Sequence, residues 1–144
     1  MPKLLESPEE IDALLASVRS IVVLGAKPES RAFEPAHYVP RAAQRAGYRI
    51  VPVPVRYPEV TAILGEPVVR ELSAVPRPVE LVDVFRRPVD LPAHLDDLRA
   101  LQPRAVWLQS GIVHDGVARA LIDAGVDVVM DRCLMVELSR RARG

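Results

Sequence analysis

Residues 20–31 read S-I-V-V-L-G-A-K-P-E-S-R. Positions 21–24 are β-branched or aliphatic without a polar member, the pattern of a strand covered on both faces, as in a parallel sheet. The run breaks at Gly25, which lets the backbone turn tightly directly after the strand. The loop that follows carries Lys27, Ser30 and Arg31 and is stiffened by Pro28. Free amides in such a loop, together with the N-terminus of a following helix, favour an anion.

Working outward, residues 36–46 read as that helix, stopped by Gly47, with Pro40 marking either its start or a kink. Upstream, Ser7-Pro8-Glu9-Glu10 reads as a capping box opening a helix over 8–16. Strands are expected at 48–53, 81–85, 105–108 and 126–130. Helices are expected at 92–101, 115–124 and 134–141, with a short one near 69–72. Alternation of strand and helix implies right-handed parallel crossovers. The expected fold is α/β, a Rossmann-like, doubly wound, mainly parallel sheet of about five strands with helices on both faces. One domain over 1–144 is expected, with the helix of residues 1–19 packed on it.

Composition narrows the function classes. Lys+Arg and Asp+Glu are both 19, so the net charge is zero, and a general nucleic-acid binder would need a basic surplus. Aromatics at 4% argue against a base-stacking platform. No apolar run is long enough to span a bilayer, and the N-terminus turns acidic too early for a signal peptide, so a cytoplasmic protein is expected. Cys133 is the only cysteine, which excludes an internal disulfide and a cysteine zinc cluster. Lys3 and Lys27 are the only lysines and there are 14 prolines, a bias that suits a thermophile or a GC-rich genome.

In open parallel sheets ligands lie beyond the carboxyl ends of the strands. The dinucleotide fingerprint G-x-G-x-x-G is absent, since Gly47 is the next glycine after Gly25. The second strand ends in P-V-P-V-R-Y and offers Arg56 where NAD would need a carboxylate. An arginine there suits a phosphorylated ribose, as in NADP or coenzyme A, or is a solvated loop residue.

The other strand ends form an ordered set: G-Y-R-I-V-P-V-P, V-D-V-F-R-R-P, V-W-L-Q-S-G-I-V and V-V-M-D-R-C-L. The chain resembles the small, single-domain CoA-binding proteins, which are similar to the CoA-binding domain of the succinyl-CoA synthetase α subunit. The resemblance spans residues 20–138 and implies coenzyme A as ligand. It implies that Gly25, Ala26 and the loop to Arg31, with Lys27, Pro28 and Ser30, receive the phosphates. Val53 and Pro54 match the segment lying against the adenosine, Phe85 and Arg86 the F-R pair, and Gln109 and Gly111 the Q-x-G near the pantetheine arm. Lys27 stands where the family usually has serine, and proline replaces asparagine after Val53. The synthetase's phosphorylated histidine belongs to a separate domain, so ligand binding without that chemistry is implied.

Other residues read as follows. Trp107 is expected in the core, Asp83 paired with a nearby arginine, and His114 as an N-cap or exposed. His37, His94 and His114 lack metal-ligand spacing. Of Arg86 and Arg87 only one, Arg86, is expected to face the ligand, because neighbours in an extended chain point apart. Cys133 is either packed and inert or reactive toward the CoA thiol. The expected function is binding of coenzyme A or an acyl-CoA by a non-enzymatic carrier, sensor or partner subunit, with a homo-oligomer or a separate enzyme subunit as partner and no nucleic acid, membrane or metal. The alternatives are an NADP-linked oxidoreductase and a ligand-free interaction domain.

Overall fold

A computed structural model describes residues 1–143. Its elements are α1 (Pro8–Ser17), β1 (Ser20–Leu24), α2 (Pro35–Arg45), β2 (Arg49–Val53), β3 (Ala62–Ile63), β4 (Glu66–Pro67), β5 (Leu81–Val84), α3 (Leu95–Leu101), β6 (Ala105–Leu108), α4 (Asp115–Asp123), β7 (Asp127–Met130) and α5 (Leu134–Arg143). The five long strands form one sheet in the order β2-β1-β5-β6-β7, and every pairing in it is parallel. This is the Rossmann-like α/β sheet that the strand pattern predicts. The chain moves one way from β1 to β2 and the other way from β1 to β5, so the topological switch lies between β1 and β5.

Alternation along the strands sorts their side chains into two layers. Val22, Leu24, Val82, Val84, Val106, Leu108 and Val128 pack against Leu98 and Leu101 of α3 and Val117 and Leu121 of α4. Ile21, Val23, Leu81, Trp107 and Val129 pack against α1, α2 and α5 through Ile11, Leu15, Val39, Ala43 and Leu134. The N-terminal helix starts as its sequence requires. Ser7 Oγ accepts from the Glu10 amide at 3.1 Å, and Glu10 Oε1 accepts from the Ser7 amide at 3.1 Å. α1 is tied to α5 by Arg140, whose guanidinium donates to Asp12 Oδ1 at 2.6 Å. None of the described helices is long and apolar enough to cross a membrane.

Both outer strands are occupied along their free sides. Beside β7, Leu4 makes a parallel bridge to Val128, with the Leu5 amide donating to the Val128 carbonyl at 2.8 Å. Beside β2, the Val69 amide donates to the Pro52 carbonyl at 2.9 Å, and Pro52 has no amide hydrogen to offer in return. An edge strand is where a proline is tolerated.

Two expectations need correction. Asp83 does not pair with an arginine. It lies in the row Val23–Asp83–Trp107–Val129, on the face covered by α1, α2 and α5, is fully buried, and neither carboxyl oxygen has a partner among the described residues. Desolvation pushes its carboxyl well above the usual carboxylate range. The expected short helix near 69–72 is replaced by the two-stranded hairpin β3–β4 and a 3₁₀ turn over Leu72–Ala74. Trp107 is fully buried and donates through Nε1 to the Arg132 carbonyl at 2.8 Å, and His114 caps α4 by accepting from the Val117 amide at 3.0 Å.

Candidate functional site

The site grows from Gly25. Its φ is +91°, and a Cβ there would come within 2.4 Å of the Phe85 carbonyl oxygen. The first residue after β1 and the first after β5 therefore touch backbone to backbone, at the switch point itself. Both are held in place: the Gly25 amide donates to Val53 O at 2.8 Å and the Phe85 amide to Leu24 O at 2.9 Å. Beyond Gly25 the loop closes as a 3₁₀ turn over Glu29–Arg31, with the Arg31 amide donating to Pro28 O. The Lys27 amide donates to Ala36 O and buried His37 Nδ1 sits 2.9 Å from Lys27 O, so the loop is pinned to the first turn of α2.

A cavity of about 270 Å³ opens on this turn. Gly25 and Ala26 form its floor, and Lys27, Arg31, Arg56, Arg86 and Arg87 border it with Val55, Tyr57 and Phe85. Positive charge thus gathers locally on a chain with no net charge. Much of it is already answered within the chain. Glu34, at the N-cap of α2, accepts from Lys27 Nζ through Oε1 and from Arg31 Nε through Oε2. Lys27 first, and Arg31 with it, hold the Glu34 carboxyl below its ordinary value. Arg87 donates to Asp90 at 2.9 Å, and Arg86 lies 3.5 Å from the same carboxylate. Arg86 Nε also donates to His94 Nε2 at 3.3 Å, and burial, then the Arg86 charge, keeps that imidazole below its usual pKa. Arg56 makes no ion pair among the described residues.

A second cavity of about 600 Å³ continues from the first along the strand ends, sharing Lys27, Phe85, Arg86 and Arg87. Its walls are Pro35, Ala36, Tyr38 and Val39 of α2, then Gln109, Ser110, Gly111 and Ile112 after β6, and Cys133 before α5. Gln109 is only 4% exposed. Its Oε1 accepts from the Leu134 amide at 2.9 Å, starting α5, while its Nε2 has no protein partner among the described residues. The Gly111 amide donates to Asp131 Oδ1 at 2.7 Å, joining the β6 and β7 loops.

Nine of the residues singled out from the sequence border this cleft: Gly25, Ala26, Lys27, Arg31, Arg56, Phe85, Arg86, Gln109 and Gly111. Four do not. Pro28 is buried, Ser30 is exposed on the outer side of the loop turn, and Val53 and Pro54 are buried. Val53 belongs to the core cluster beneath β2, and Val55 and Tyr57 take the place beside the cavity. Both Arg86 and Arg87 reach the cleft where strand alternation allows one, because the chain leaves β5 at Val84 and coils into a 3₁₀ turn from Pro88. Tyr38, Tyr57 and Glu34 had no sequence signal of their own. A separate cavity of about 500 Å³, bordered by Leu15, Arg19, Tyr48 and Arg141, lies at the opposite, amino-terminal end of the strands.

The family model described as a CoA binding domain matches residues 19–139, which include every residue of both cavities on the cleft side. The chain belongs to the CoA-binding domain family. A Thermus thermophilus protein of known structure is 43% identical, covers 94% of this chain and 99% of its own, and superposes with a TM-score of 0.86. The uncharacterized protein YneT of Bacillus subtilis (strain 168) is 32% identical over 130 residues, 90% of this chain and 93% of YneT. A hypothetical protein from Pyrococcus horikoshii OT3, at 24% identity and a TM-score of 0.84, shares the fold. Within this CoA-binding family, Lys27 and its partner Glu34 are the features of the phosphate loop that ask for a physical account.

Proposed function

We propose that this chain binds coenzyme A or an acyl-CoA across the carboxyl ends of its strands and acts as a carrier, sensor or partner subunit. The observation that carries this reading is the gathering of Lys27, Arg31, Arg56, Arg86 and Arg87 around a cavity floored by Gly25 and Ala26. The Ala26 amide has no hydrogen-bond partner among the described residues, which leaves a backbone donor beside those cations. The diphosphate sits against that floor, and charge-assisted hydrogen bonds from the cations answer it. Arg56, unpaired and at the end of β2, suits the 3′-phosphate. Val55 and Tyr57 provide the apolar wall for the adenine. The pantetheine arm runs through the second cavity, where Gln109 Nε2 can donate to an amide carbonyl.

A thermal-shift panel tests this with CoA, dephospho-CoA, NADP and ATP at matched concentrations. A ligand that binds only the folded chain at about a hundred times its Kd adds about 2.7 kcal/mol. That is a rise of roughly 5–10 °C in Tm for a chain of this size. CoA is expected to give the largest rise and dephospho-CoA a smaller one. A larger shift with NADP would move the assignment to an oxidoreductase, and no shift with any of the four would leave an interaction domain.

Glu34 gives a second measurement. It holds the two loop cations that the diphosphate needs, so binding is an exchange of one anion for another. Glu34→Gln removes the competing charge and is expected to tighten CoA binding about threefold to tenfold by calorimetry, the scale of one or two partly exposed ion pairs. Unchanged or weaker binding would show that Glu34 does not compete with the ligand.

A further inference from the structure

We infer that Cys133 is a thiol–disulfide exchange site for the sulfur end of coenzyme A, an inference that rests on the proposed CoA binding. Two independent features of the second cavity point there. Cys133 is partly exposed and forms part of the wall immediately before α5. Beside it Gln109, almost wholly buried, has its Oε1 committed to the first amide of α5 and its Nε2 left without a protein partner in the same wall. A buried amide nitrogen with no partner calls for an acceptor from a ligand.

The distance fits. Gly25 follows β1 and Cys133 follows β7, and the sheet order places three strand spacings between them. At about 4.8 Å each, this is roughly 14 Å. The arm joining the diphosphate of coenzyme A to its sulfur is a chain of about a dozen bonds of about 1.5 Å, roughly 15 Å when extended in zigzag. A cofactor anchored on the 25–31 loop and laid across the β5 and β6 ends therefore brings its sulfur to the start of α5.

The step is redox-neutral and needs only a disulfide form of the cofactor, CoA–S–S–R. Cys133 gives its proton to solvent and its sulfur attacks the CoA-side sulfur. The S–S bond to R breaks, the Cys133–CoA disulfide forms, and RS⁻ leaves and takes up a proton. With free CoA thiol the reverse exchange restores Cys133.

The test compares the native protein's rates with CoA disulfide and with oxidised glutathione at equal concentration, followed by intact mass. Cys133 is the sole cysteine, so the adduct has one address. The expected result is one CoA per chain, formed about tenfold or more faster than the glutathione adduct because binding raises the local concentration. Adenosine 3′,5′-bisphosphate, which carries no sulfur, is expected to suppress that excess, and the urea-unfolded chain to show none. Equal rates in the folded protein, or an excess that survives the competitor, overturn the inference. If CoA still raises Tm while the rates are equal, CoA binding stands and the exchange site falls. If CoA gives neither a shift nor an excess, both fall.

Discussion

Gly25→Ala is expected to lower the unfolding temperature by about 10 °C or more, the loss of about 3 kcal/mol in a chain of this length. Two effects combine. The left-handed φ of +91° costs an L-residue about 1–2 kcal/mol. The new methyl would also press on the Phe85 carbonyl oxygen at 2.4 Å, a backbone atom that a rotamer change does not move. The two segments have no room to separate, since one is hydrogen-bonded to β2 and the other to β1. Gly111→Ala separates the contributions. Gly111 has a similar φ of +83°, but nothing lies within 4 Å of its would-be Cβ. It is expected to lose only about 1 kcal/mol, some 3–4 °C. Circular-dichroism melts of the two variants decide the matter, and equal losses would mean that the contact with Phe85 has no part in the effect.

Asp83 sets the pH dependence of stability. Its folded-state carboxyl is raised by burial, whereas in the unfolded chain it titrates near about pH 4. Above that pH the folded state still holds a proton that the unfolded state has released. Stability therefore falls as pH rises, at up to about 1.4 kcal/mol per pH unit, until the folded carboxyl ionises. Below about pH 4 both states are protonated and the penalty vanishes. Asp83→Asn keeps the shape and removes the ionisation. Its advantage over the native protein is expected to be near zero at pH 4 and to widen with pH at that slope, in urea unfolding measured across the series. A difference that stays constant with pH would show that Asp83 does not titrate in the core.

The sheet was legible because its strands are short, apolar and bounded by turn residues. Residues 105–108 coincide with β6, and the other four long strands differ from expectation by a residue at one end. The hairpin β3–β4 was hidden by its turn. Leu64 takes φ +56° ahead of Gly65, a position where asparagine, aspartate or glycine is the usual signal. Gln102 ends α3 in the same left-handed region, again with no glycine to mark it. In the site, the glycine and the cations of the phosphate loop could be read as residue types. The pairing of Lys27 and Arg31 with one carboxylate could not, because Glu34 lies seven and three residues away and only the 3₁₀ turn brings all three together. Val53 and Pro54 point inward for a reason of register: the outward place falls to Val55 and Tyr57, once the chain has left β2.

The two flanks of the sheet bear on how copies of this chain can meet. Leu4 lies along one border, and the other carries Val69 and a proline that lacks an amide hydrogen. A second molecule finds no open row of peptide groups on which to extend the ladder, so cross-β stacking of native chains has no template. Any stoichiometric assembly must be built from helix surfaces and loop side chains, and substitutions on those surfaces can retune it without disturbing the strands that aim the cleft.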